Sequence, residues 1–253
     1  MRFATYPSLQ NKSVLITGGA SGIGAEMVRA FARQGAAVGF LDIDAEAGQA
    51  LAASLVEAGA RVHFEACDLR DVEALRRGVT AVASAHGSPL VLVNNAARDD
   101  RHAWQDVTPE YYDERIATNV RHMFFAIQAV APGMIAAGGG SIVNLGSDSW
   151  WRKAPGFPVY TTAKAAVHGL TRSMARELGP HRIRVNTLIP GWTMTERQKT
   201  LWVTPEGLEW QRKDQCLPDL IEPIYVAQMA LFLAADDSAM CTANNYMVEA
   251  GAI

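Results

Sequence analysis

Short runs of β-branched and other apolar residues alternate along this chain with longer stretches whose apolar positions recur every three or four residues. Ser13–Thr17 reads as a first strand and Gly22–Gln34 as a helix closed by Gly35. Ala36–Asp42 reads as a second strand, followed by an Ala-rich helix over Asp44–Ala58 that stops at Gly59. Five more strands are predicted at Arg61–Ala66, Leu90–Asn94, Ser141–Leu145, Ile183–Ile189 and Tyr246–Glu249. Helices are predicted over Asp71–Ala85 and, as one long element, over about Pro109–Ile135. From Val159 to Leu178 the apolar stripe Ala163, Ala166, Val167, Leu170, Met174 and Leu178 predicts a helix with one buried face. Strands alternating with helices predict an α/β fold, a doubly wound parallel sheet with helices on both faces. No Pro/Ser linker, repeat or low-complexity segment interrupts it, so 1–253 reads as a single domain. The stretch 193–223 breaks the alternation, being long, polar and Trp-containing, and is expected to be a substrate lid.

Composition narrows the function classes. A formal net charge of −3 offers no basic field for nucleic acid or an anionic membrane. Three cysteines, odd in number and far apart, lack metal-ligand spacing and read as reduced thiols of a cytoplasmic protein. Met1–Pro7 carries no apolar leader core, and no apolar run reaches membrane-spanning length. No metal is expected.

Thr17-Gly-Gly-Ala-Ser-Gly22-Ile-Gly24 joins the first strand to the first helix. Gly18 permits a tight turn, Gly22 lets backbone approach a pyrophosphate, and Gly24 allows close helix–strand packing. Ser21 and Ile23 complete the loop, and the helix N-terminus beyond it presents free N–H groups to phosphates. This is the context of a Rossmann dinucleotide site. Asp42, at the end of the second strand, is placed to accept hydrogen bonds from the adenosine ribose hydroxyls. A 2′-phosphate there would meet like charge, no Arg or Lys occupies the glycine loop, and Ile43 follows, so NAD is expected over NADP. Asp44 is free to cap the second helix. Asp68, with Leu69 beside it, is placed either to bond the adenine amino group or to cap the helix near Asp71.

Tyr160 and Lys164 stand at i and i+4 on one predicted helix and so share a face, and Ser147 precedes them. A free phenol titrates near about 10, and a neighbouring ammonium favours phenolate. Such a tyrosine can take a proton from an alcohol whose oxygen is also held by a serine hydroxyl. With Thr17–Gly24, Asn94-Asn-Ala-Ala97, Asn119 and Pro190-Gly191 in order around them, the chain resembles the short-chain dehydrogenase/reductase family nearly end to end. The resemblance implies a tetrad. Tyr160 is the acid/base, Ser147 holds the reacting oxygen, Lys164 bonds the nicotinamide ribose and tunes Tyr160, and Asn119 seats a relay water. It also implies that Asn95 and Ala96 line the adenosine ribose side and that Pro190, Gly191, Thr193 and Thr195 lie along the nicotinamide half. Ala97 and Thr193 depart from the family pattern, which has Gly and an aliphatic residue there.

All six tryptophans fall in segments expected to reach the rim of the site. Carboxylates and hydroxyls beside indoles suit a polyol better than an acyl chain, although each tryptophan could equally pack the lid or a subunit contact. Arg98-Asp-Asp-Arg-His102, Asn119-Val-Arg-His-Met and the stretch from Thr195-Glu-Arg-Gln through Thr204-Pro-Glu-Gly further resemble bacterial aldose 1-dehydrogenases. That resemblance implies oxidation of an aldose to its lactone. Ser149, Trp151, Asp99, Asp100 and Arg101 are the candidates for sugar contacts, with Trp192 beside them. A 3-hydroxyacyl or cyclic secondary alcohol is the alternative substrate, and a non-catalytic nucleotide sensor the alternative class. The family also implies a homotetramer, and the apolar terminus Tyr246–Ile253 is compatible with burial in one.

Overall fold

A computed structural model describes residues 3–253; Met1 and Arg2, part of the Met1–Pro7 stretch read above, lie outside the described residues. Seven strands form one parallel sheet in the order β3-β2-β1-β4-β5-β6-β7. They are β1 Ser13–Thr17, β2 Ala37–Asp42, β3 Val62–Ala66, β4 Val91–Asn94, β5 Gly140–Leu145, β6 Ile183–Pro190 and β7 Asn245–Val248. The helices are α1 Gly22–Arg33, α2 Ala45–Glu57, α3 Val72–His86, α4 Pro109–Ile116, α5 His122–Ala136 and α6 Pro158–Leu178, then α7 Glu196–Leu201, α8 Pro205–Asp214 and α9 Pro223–Ala234. Strand β1 is buried along its whole length, as a strand covered on both faces must be. Its period of two divides the core. Val14 and Ile16 pack with Met27, Phe31 and Leu231 of α1 and α9, while Leu15 packs with Leu75, Val82 and Ile127 of α3 and α5.

Helix ends fall where the sequence places them because the caps form. Asp44 accepts from the Ala47 N–H, and Asp71 accepts from the Glu73 and Ala74 N–H groups. The predicted helix over Pro109–Ile135 is a correction: a π-helical turn, Ala117–Arg121, separates α4 from α5. At its centre the Asn119 amide donates to the Arg115 carbonyl at 2.9 Å, a position the backbone N–H of Asn119 would otherwise occupy. Apolar periodicity cannot register that exchange. The 193–223 stretch also differs from a plain loop, since it folds into α7, capped by Thr195, and α8, capped by Thr204 ahead of Pro205. Both helices are short and polar, so their caps carry more signal than their stripes. Thr193 and Ile221 pair as an isolated parallel bridge that closes the base of this excursion. Among the described residues no helix is long and apolar enough to cross a membrane.

Gly39 lets α3 approach the sheet. A Cβ there would lie 2.3 Å from Cγ1 of Val82, a stiff side chain that cannot swing clear. Gly39→Val should therefore lower unfolding stability by about 1–3 kcal/mol through overpacking. Urea denaturation reads the loss, and a variant as stable as wild type would show that α3 shifts freely.

Candidate active site

The site lies at the carboxyl ends of the strands, where the order reverses between β1 and β4. A cleft of about 970 Å³ opens there, floored by the β1–α1 turn. Gly18 and Gly22 adopt φ of +67° and +54°, which favours glycine at both. Gly24 is closed in, because a Cβ on it would fall 1.8 Å from the Gly18 carbonyl oxygen. Asn95 ties the loop after β4 to this turn by donating to the Thr17 and Gly18 carbonyls at 3.1 and 2.8 Å. The Thr17 hydroxyl accepts from the backbone N–H groups of Asn95 and Ala96.

These residues fit a dinucleotide. Ser21 makes no side-chain cap, so the first N–H groups of α1 stay open toward the cleft, whereas α2 and α3 are closed by Asp44 and Asp71. Asp42 is oriented by the Ala20 and Asp44 N–H groups at 2.8 and 3.0 Å, and its remaining lone pairs face the cleft. Ile23, Ile43 and Leu69 line the same end. Asp68 also lines it, but Asp71 does the helix capping, and Asp68 is gripped by the Arg70 guanidinium at 2.6 Å, which holds its carboxyl below the usual range. At the other end Pro190, Gly191, Thr193 and Thr195 line the wall. Thr195 lies over the glycine turn, its Cγ2 3.2 Å from where a Gly22 Cβ would be.

Tyr160 and Lys164 rise from one face of α6 to meet Ser147 at the end of β5. Lys164 is buried, 1% exposed, and donates to the Leu145 carbonyl at 2.7 Å. Its Nζ lies 5.8 Å from the centre of the Tyr160 ring. The expectation that this ammonium lowers the phenol is not what the protein alone produces. Desolvation pushes the Tyr160 phenol up, as do the Asp99 and Asp148 carboxylates, while the Ser147 hydrogen bond and the Arg101 charge pull it down. Burial pushes Lys164 down to about 7, against Asp99, which raises it. Desolvation is the largest cause for both groups because both sit where water is excluded. Ser147 accepts from the Ser149 N–H at 3.1 Å. Asn119, fully buried, accepts from the Arg98 N–H at 2.7 Å and so pins the loop after β4 to the π turn. Behind it, burial and the Lys164 charge push His122 down to about 4, and its Nε2–H donates to the Ala96 carbonyl at 3.1 Å. Sequence reasoning assigned His122 nothing; its place one turn after Asn119 was the available signal.

The substrate end differs in part from expectation. Ser149, Asp99, Arg101 and Trp192 line the cleft, as do Trp202 and Trp210, but Trp151 and Asp100 do not. Trp151 stacks on Trp150 at 3.7 Å between ring centres and meets His168 edge-on, so its face is used in packing on α6. Trp104 is 71% exposed on the surface. Asp100 is an ion-pair hub for Arg98, Arg115 and Arg197 at 2.9, 2.9 and 2.6 Å. Charge pattern alone does not distinguish such a hub from a ligand contact, because the three arginines come from separate elements. Asp148, read with Ser149 as one of the carboxylates and hydroxyls that suit a polyol, lines the cleft, while Phe157 and Arg152 enter it without having been singled out.

A family model described as enoyl-(acyl carrier protein) reductase matches residues 18–252. D-xylose 1-dehydrogenase of Caulobacter vibrioides is 49% identical over 251 residues, 99% of each chain. A probable galactose dehydrogenase of Rhizobium meliloti is 48% identical over 247 residues, 97% of this chain and 96% of that one. Among solved structures, a blue fluorescent protein from a metagenomic library, in complex with NADPH, superposes with a TM-score of 0.89 at 32% identity, covering 97% of this chain and 99% of the other.

The buried lysine has a signed consequence. Lys164 titrates near 7 when folded against an ordinary 10.5, so between those values the unfolded chain binds more protons and stability rises with pH. Tyr160, shifted upward, acts only above its ordinary 10.0. Urea denaturation at about pH 7 and pH 9.5 should show the wild type gaining stability relative to Lys164→Met as pH rises. Parallel curves would mean that Lys164 keeps its proton in the fold.

Proposed function

The chain belongs to the short-chain dehydrogenase/reductase family, and we propose that it oxidises an aldose at the anomeric carbon with NAD, giving the lactone. The observation that carries this reading is the meeting of Ser147, Tyr160 and Lys164 at one end of a dinucleotide-shaped cleft, in a chain that matches sugar dehydrogenases over its full length. Bound NAD would supply the hydride acceptor, at nicotinamide C4. Gly18, Ser21 and Gly22 would hold the pyrophosphate, Asp42 the adenosine ribose, and Lys164 the nicotinamide ribose. Ser147 would hold the anomeric oxygen while Tyr160 takes its proton, so that the C–H electron pair leaves as hydride and the C–O bond becomes a carbonyl. A cationic ring near Tyr160 would add to Arg101 and Ser147 in opposing the desolvation that keeps the phenol protonated. Asn119 positions the loop after β4 through Arg98.

The substrate end favours a polyol. Its walls carry Asp99, Asp148 and Ser149 beside the indoles of Trp192, Trp202 and Trp210. The Ser149 hydroxyl is buried, the residue 4% exposed, and has no hydrogen-bond partner among the described residues. In this reading 1–253 is one catalytic domain, and α7 and α8 form a lid over the sugar. We further propose a cytoplasmic homotetramer. Three free thiols and the exposed Phe124, Ile135 and Met247 side chains support that assignment.

NADH formation across aldoses, 3-hydroxyacyl substrates and cyclic alcohols tests the reaction. One or two aldoses should dominate with NAD, and Tyr160→Phe should lose roughly a hundred- to ten-thousand-fold in kcat. Turnover confined to the other alcohols would keep the mechanism and remove the sugar. Asp42→Ala should raise the KM for NAD roughly tenfold or more, the effect of losing charged hydrogen bonds, and shift preference toward NADP. An unchanged ratio of NAD to NADP use would sink the role given to Asp42.

A further inference from the structure

Six arginines line the cleft: Arg70, Arg98, Arg101, Arg115, Arg152 and Arg197. Five are ion-paired. Arg70 holds Asp68 at 2.6 Å, Arg98 and Arg115 hold Asp100 at 2.9 Å each, Arg152 holds Asp214 at 2.5 Å, and Arg197 holds Asp100 at 2.6 Å. Arg101 alone among them makes no ion pair or hydrogen bond with the described residues.

Arg101 is nevertheless held in place. Its guanidinium carbon sits 3.8 Å from the centre of the Phe157 ring and 5.2 Å from that of Trp202, at the end of α7. Stacking uses the faces of the guanidinium and leaves its N–H edge free. Phe157 in turn contacts the Tyr160 ring, with centres 5.4 Å apart, so the free edge is two ring contacts from the reacting phenol. Nearby carboxylates are already engaged. Asp99 accepts from the Gln198 amide at 2.8 Å and lies 3.6 Å from Arg197, and Asp148 pairs with Arg152 at 3.3 Å. Arg101 is therefore the one arginine of the cleft with no carboxylate in direct contact among the described residues, although the Asp99 charge acts on it at longer range. Burial lowers the pKa of Arg101, the mark of a cation short of water. A sugar hydroxyl would meet that charge with a neutral acceptor, whereas a carboxylate offers two charged oxygens in the geometry of the guanidinium fork.

We propose that Arg101 opens this cleft to acidic sugars: aldoses bearing a carboxylate, as the hexuronic acids do, are oxidised at the anomeric carbon with the carboxylate bound by its guanidinium. This rests on the aldose reading above. The chemistry is unchanged. The anomeric C–H pair passes as hydride to NAD, the anomeric O–H proton passes to Tyr160, the ring carbon becomes the lactone carbonyl, and the carboxylate is neither formed nor consumed.

The test is NAD reduction by the full-length protein with D-galacturonate and D-glucuronate beside D-galactose, D-glucose and D-xylose. Wild type, Arg101→Gln and Arg101→Lys are compared at low and high KCl. The expected result is a kcat/KM for a uronate at least equal to that for its neutral counterpart, falling as salt screens the pair. Arg101→Gln should lower the uronate-to-neutral preference roughly 10- to 100-fold, the worth of a charge-assisted hydrogen bond, mostly through KM. Arg101→Lys should retain part of it. Turnover of neutral aldoses without uronates overturns the proposal, and this comparison stands even if a variant fails to fold. An equal loss on both classes also overturns it and leaves Arg101 with its pull on the Tyr160 phenol and its clasp on Trp202. Oxidation of no aldose of either kind would instead remove the aldose reading itself.

Discussion

Lys164 carries its amine on a side chain with 1% exposure, and its one hydrogen bond among the described residues, 2.7 Å to the Leu145 carbonyl, ties α6 to the end of β5. Much of the site depends on that contact. It sets the rotation of α6, which carries Tyr160 one turn earlier, and it fixes that helix against the strand that delivers Ser147. An ammonium with one carbonyl partner is poorly compensated, which is why burial drives it down to about 7. The fold accepts this cost at the point where the chemistry is proposed to occur. His122, pushed down to about 4 and bonded to the Ala96 carbonyl, keeps a second positive charge from forming beside it.

Behind the site a buried polar seam crosses the sheet. Asn94 donates to Asn144 at 2.9 Å, Asn144 donates to the Thr171 hydroxyl at 3.0 Å, and Thr187 bonds the same hydroxyl at 2.9 Å. Polar residues in strands covered on both faces are costly unless paired. Here they link β4, β5, β6 and α6 in one register, just below the ends from which Asn95, Ser147 and Pro190 emerge. The adjoining bonds of Asn95 to the Thr17 and Gly18 carbonyls carry that register on to the glycine turn. The geometry of the cleft is thus set by a hydrogen-bonded layer rather than by apolar packing alone.

Charge in the cleft is arranged on the same economy. The loop after β4 and the 193–223 segment meet through Asp99 and Asp100 on one side and Arg197 and Gln198 on the other. A second meeting joins Arg152 to Asp214 of α8. These pairs hold the excursion against the body of the protein and cancel most of the local charge. Against that neutral background the unpaired Arg101 and the unpartnered Ser149 hydroxyl stand out.

Strands, helix caps and the glycine turn were legible in the sequence because each depends on neighbours in the chain: short unbroken apolar runs, an Asp before a first turn, Gly where φ is positive. The Tyr160–Lys164 face was legible for the same reason, since i and i+4 meet in any helix. What distant elements bring together was not. The π turn at Asn119 forms because its side chain takes the Arg115 carbonyl and also receives the Arg98 N–H from another loop. Trp151 and Asp100 looked like ligand contacts by position, yet one is spent on Trp150 and His168 and the other on three arginines from separate elements. The direction in which Tyr160 shifts was likewise decided by burial, which depends on every element enclosing the phenol. Local stereochemistry is written in adjacent residues, whereas partnership and desolvation exist only once the chain has closed on itself.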